Sequence, residues 1–96
     1  MISEQKQAAH EPGTKENDRR KAAGTPTSTF NTAAEGKSLT HDTHATGTPH
    51  PTRPGVKDKE YNRPIGTGPN GGQQTKVSVH EGSKGRIHGH PAGPEK

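Results

Sequence analysis

Apolar residues along this chain mostly stand alone, each surrounded by Thr, Gly, Pro, His or a charge. One stretch breaks that pattern: Thr75 to His90, TKVSVHEGSKGRIHGH. Val77 and Val79 alternate there with Lys76, Ser78 and His80, the polar segment Glu81 to Gly85 follows, and then come Arg86, Ile87 and His88. Period-two alternation predicts a half-buried strand, and the two halves predict a β-hairpin over 75–90. Pairing Val79 with Ile87 and His80 with Arg86 puts Val77, Val79 and Ile87 on one face. Lys76, Ser78, His80, Arg86, His88 and His90 take the other. His80 and His88 are then diagonal neighbours, roughly 7–8 Å apart.

Helix signals are confined to residues 1–24. Ser3 can cap a short segment ended by Glu11-Pro12-Gly13. Thr14 can cap a second, with Glu16 and Asp18 early, Arg19, Arg20 and Lys21 late, and Gly24 beyond. That order of charges complements the helix dipole. The segment has no apolar face and is about ten residues long, so a transient helix near 14–23 is expected. Residues 25–74 read as a Thr/Pro/Gly/His-rich linker, because Val56 and Tyr61 are isolated and the flanks of Asn70-Gly71 do not alternate as hairpin strands should. The chain thus divides into a charged segment 1–24, a disordered linker 25–74, the hairpin 75–90 and a tail 91–96.

Composition pushes the reading further from a folded domain. Leu, Ile, Val and Phe number eight of 96 residues: Ile2, Phe30, Leu39, Val56, Ile65, Val77, Val79 and Ile87. That share is far below the roughly 20% under which a chain reads as disordered. Thirteen glycines and nine prolines add entropy cost and interrupt regular structure. There is no cysteine, so no disulfide can support a small core. The expected fold class is an intrinsically disordered chain without a globular core, monomeric. No apolar run suggests a membrane span or secretory signal, so the cytoplasm is the expected compartment, with passive entry to a nucleus open to so short a chain.

Charge and histidine content supply the candidate chemistry. Fourteen basic and ten acidic residues give +4, and seven histidines carry the formal charge toward +11 near pH 5. On the hairpin, His80, His88 and His90 form an imidazole cluster suited to weak Zn, Ni or Cu binding. His41 and His44, with Asp42 and His50 nearby, form a second. Arg19, Arg20 and Lys21 are the candidate phosphate contacts for a weak nucleic-acid association, and Arg53 to Arg63 is another basic region. Phe30 and Tyr61 are the only aromatics, too few for base stacking. Thr25 and Thr48 precede prolines and are candidate phosphorylation sites. Ser78 or Ser83 beside His80 and Glu81 could suggest a nucleophile and base, but such groups act only inside a rigid shell. An enzyme is therefore not expected.

With glycine at 13 of 96 residues, no cysteine or tryptophan, and a mean hydropathy of −1.33, the composition resembles that of hydrophilins and late-embryogenesis-abundant-like stress proteins. The resemblance implies a disordered chain that protects client proteins during water or osmotic stress. Neither a Lys-rich dehydrin signature nor an 11-residue amphipathic repeat accompanies it. Two other functions fit the same composition: a disordered interaction protein that folds on a partner, and a weakly basic accessory to nucleic acid.

Overall fold

Alternation at Lys76–Glu81 does produce a strand, but it lies inside a sheet. In the computed structural model, β6 is one of two inner strands of an antiparallel order β2-β3-β6-β7, with β2 at Thr48–Pro49, β3 at Val56–Glu60, β6 at Lys76–Glu81 and β7 at Ile87–Ala92. A second antiparallel sheet, β1-β4-β5, joins Thr29–Phe30, Gly66–Thr67 and Gln73–Gln74. Among the described residues, three helices precede or interleave these strands: α1 at Glu4–Ala8, α2 at Lys15–Ala22 and α3 at Ala33–Thr46. The structure describes the chain outside residues 1, 9, 13, 23, 25–26 and 83–84, and the backbone alone at 4, 5, 16, 20 and 21.

Hairpin register departs from the expectation by two residues. His80 pairs with His88 and Val79 with Gly89, not Val79 with Ile87. A two-residue slip preserves the faces, because side chains alternate with period two. Val77, Val79 and Ile87 therefore still share a buried side, each at most 1% exposed. They meet Phe30, Leu39 and Ile65 in one cluster, against which Ile2 and Tyr61 pack.

Helix α3 covers that cluster. Its start is fixed by Thr32, whose extended backbone lets the side chain accept a hydrogen bond from the Glu35 amide at 3.1 Å. Gly36, Leu39, Thr40 and Thr43 form its buried stripe, spaced by three, one and three residues as one helical face requires. Two glycines set how near the helix lies. A Cβ on Gly36 would strike the Phe30 ring, and one on Gly89 would strike Thr40 Oγ1.

The N-terminal segment closes the open edge of β7. Ser3 donates its amide to the Ile87 carbonyl at 2.6 Å, and the Gly89 amide donates to Gln7 Oε1 at 2.7 Å. An unpaired edge is thereby satisfied by covering chain. Pro91 is tolerated in β7 for the same geometric reason. Gly89 N points out of the sheet, so position 91 two residues on also faces outward, and no ladder donor is lost. Thr14 caps α2 through the Asn17 amide at 3.1 Å.

These features overturn the reading of a disordered chain without a globular core. The Cα radius of gyration is 12.4 Å, against about 30 Å for an unfolded chain of this length. The 25–74 stretch read as a linker carries α3 and β1 to β5. The 75–90 hairpin is two strands of a larger sheet. The physical reason lies in how the few apolar residues are used. Nearly all of them converge on one cluster, and small or polar residues fill the space beside it. Gln7, Thr40, Thr43 and Asn17 are at most 1% exposed, and Thr40 donates to the Gly36 carbonyl at 2.7 Å. Counting large apolar side chains omits such hydrogen-bonded polar packing.

Candidate functional site

The face of the sheet opposite α3 gathers the imidazoles. Pairing aligns two rows across the strands: Asp58, Ser78 and His90 in one, and Val56, His80 and His88 in the next. Because Val77 and Val79 point into the core, Ser78 and His80 point away from it. His80 and His88 stack with ring centroids 5.0 Å apart and planes 10° from parallel. His80 Nε2 lies 3.1 Å from His90 Nε2. Ser78 Oγ donates a short hydrogen bond to Asp58 Oδ1.

Residues from the N-terminal segment extend this cluster. The contacts that tie Ser3 and Gln7 to the β7 edge bring His10 beside it. Its ring lies 5.2 Å from that of His90, and its Nδ1 is 2.7 Å from the Ser28 carbonyl. Lys6 stands near enough to act on His80 and His88, and Arg53 near enough to act on His80 and His90.

The electrostatics keep these rings neutral. Burial lowers the pKa of His80, and the neighbouring His90 and Arg53 lower it further, against an opposing pull from Asp58. His88 is pushed down to about 4, by burial first and then by His80, Lys6 and His90. Burial also lowers His90, while its hydrogen bond to the Pro91 carbonyl and the Asp58 charge act the other way. Near pH 7 the site is therefore three touching neutral imidazoles flanked by two cations and one carboxylate. Such groups can accept and hand on protons and hold an anion.

The hairpin histidines His80, His88 and His90 are thus brought together. His41 and His44 are not part of this face. His41 is exposed on α3, and His44 Nε2 is 2.8 Å from Glu81 Oε1. Asp42 is engaged elsewhere, by Lys59 Nζ at 2.8 Å and by the Tyr61 hydroxyl at 2.6 Å. His50 accepts from the Thr52 amide at 3.2 Å within its own turn. Among the described residues, no group of three or more His, Cys, Asp or Glu side chains is arranged to hold one metal ion. Arg19 is exposed on α2. The side chains of Arg20 and Lys21 lie outside the described residues, as do Thr25 and Ser83; Thr48 is exposed in β2.

Sequence reasoning missed His10, Lys6 and Asp58. No local pattern marks them, since they join the hairpin only through tertiary contacts. The imidazoles, expected to lack a rigid shell, are held by three paired strands and a covered edge.

Comparison with known proteins yields no family, curated relative or solved structure that matches the chain. No described helix is long and apolar enough to cross a membrane.

Proposed function

We propose that the imidazole face binds the phosphodiester backbone of RNA and cleaves it by acid–base catalysis. The observation that carries this reading is the contact between His80 and its neighbours His88 and His90, with the Lys6 and Arg53 charges near enough to act on the rings. RNA supplies its own nucleophile, so the protein need only move protons and hold the phosphate. One imidazole takes the proton of the 2′-hydroxyl as its oxygen attacks the adjacent phosphorus. The bond from phosphorus to the 5′-oxygen breaks, and that oxygen leaves with a proton from a second, protonated imidazole. The products are a 2′,3′-cyclic phosphate and a 5′-hydroxyl. A bound phosphate anion favours the charged form of nearby rings and so raises the depressed pKa values on the free face. Proton donation is then available on the acid side of neutrality.

The hydrophilin-like protective role draws its mechanism from a swollen chain, and a compact fold leaves it without that mechanism. The reading as a nucleic-acid accessory is closer, with the basic contacts moved from α2 to the sheet face.

The test is cleavage of a fluorogenic single-stranded RNA in EDTA, beside the same sequence as DNA. Wild type is expected to cleave only the RNA and leave a cyclic phosphate, with a rate maximum between pH 5 and 7. His80→Ala should reduce the rate by about 10²–10⁴-fold. Cleavage of both nucleic acids, loss of activity in EDTA, or an unchanged rate in His80→Ala would contradict the proposal.

A further inference from the structure

The hydrogen bonds around His90 fix where each proton sits. A carbonyl oxygen only accepts, and the Pro91 carbonyl lies 2.9 Å from His90 Nδ1. His90 therefore carries its proton on Nδ1. A neutral imidazole has one N–H, so its Nε2 presents a lone pair. That lone pair faces His80 Nε2 at 3.1 Å, so the His80 ring must donate there. Its single proton is on Nε2, and its Nδ1 is left as the basic atom.

We propose that His80 and His90 form an imidazole relay of fixed polarity, in which His80 Nδ1 is the atom that accepts the substrate proton and His90 is a positioning residue. The assignment rests on the acid–base reading for its role, but its geometry does not. When His80 takes a proton at Nδ1, its Nε2–H still donates to His90. That bond becomes charge-assisted and roughly twice as strong. The positive charge is thereby held where it forms, and the ring cannot turn without breaking the bond. Stacking of His88 on His80, 5.0 Å between centroids, restrains the ring plane as well. The ladder contributes in turn, because His90 is in register with Ser78 and His88 with His80. Pro91 completes the arrangement through the carbonyl that its place on the outer edge leaves available.

Nitrogen-15 spectra of the imidazole side chains, on the labelled full chain at pH 7.5, report each tautomer directly. His80 is expected as the Nε2–H form and His90 as the Nδ1–H form. In His90→Ala the His80 preference should collapse to a mixture, whereas His90→Gln should restore it, since a glutamine carbonyl can accept from Nε2–H. His80 observed as the Nδ1–H form in wild type, or unchanged in His90→Ala, would overturn the relay. In RNA cleavage, His90→Ala should lower kcat about tenfold or more with little change in KM, and His90→Gln should recover part of it. Equal kcat for all three would also count against the relay. Reversed tautomers with intact cleavage would defeat the relay alone. The stated tautomers without any wild-type cleavage would defeat the RNA reading and leave the relay geometry standing.

Discussion

Tyr61 shows how much a single polar side chain contributes in a chain this poor in apolar residues. Its hydroxyl donates to Asp42 Oδ2 at 2.6 Å and lies 3.0 Å from Thr43 Oγ1, while Lys59 Nζ sits 5.2 Å from the ring centroid. Burial and the Asp42 hydrogen bond raise its pKa to about 12. Lys59 and then Tyr61 hold the Asp42 carboxyl below the usual range. Tyr61→Phe removes the hydroxyl and keeps the ring, so it should cost about 0.5–1.5 kcal/mol in urea unfolding. It should also raise the Asp42 pKa, which carboxyl resonances would report. An unchanged Asp42 titration would show that the hydroxyl does not reach it. None of this was legible from position 61, where an isolated aromatic among charges gives no period to read.

Among the elements, α3 and the β6–β7 hairpin decide the fold together. The hairpin was legible because Val77 and Val79 alternate with polar residues. Its register was not, since only three apolar residues constrained it and a slip of two leaves their face unchanged. Helix α3 escaped because its buried stripe is Gly36, Leu39, Thr40 and Thr43, with one large apolar residue among small and hydroxyl side chains. At Gly89 the two elements approach so closely that a Cβ would strike Thr40 Oγ1. Gly89→Ala should cost about 1–3 kcal/mol by forcing α3 away from β7, and it should broaden the imidazole resonances on either side of it. A neutral result would mean that Thr40 can move aside freely. Thr32→Ala should cost about 1 kcal/mol through the lost cap. The candidate site was half legible: alternation marked His80, His88 and His90, whereas His10 and Lys6 arrive only through edge contacts with β7.

The whole molecule couples its stability to the site. His80, His88 and His90 all have lowered pKa values in the folded chain, while an unfolded histidine titrates near 6.5. Below that value the unfolded chain binds more protons than the folded one, so acid favours unfolding. Stability should be full above about pH 6.5 and fall through the interval down to about 4, where His88 itself protonates. Urea midpoints measured at pH 8 and pH 5 should therefore differ, with the lower midpoint at pH 5. Replacing His88 with Phe should shrink the difference. Equal midpoints would show that the rings are not held neutral by burial.

A chain with eight large aliphatic or Phe residues folds so that distant histidines meet on one sheet face. A nuclear Overhauser spectrum of the ring protons at pH 7.5 tests it most directly. The fold predicts cross-peaks between His10 and His90, 5.2 Å apart by ring centroid, and between His80 and His88. Seven histidines with coincident resonances and no such cross-peak would contradict it.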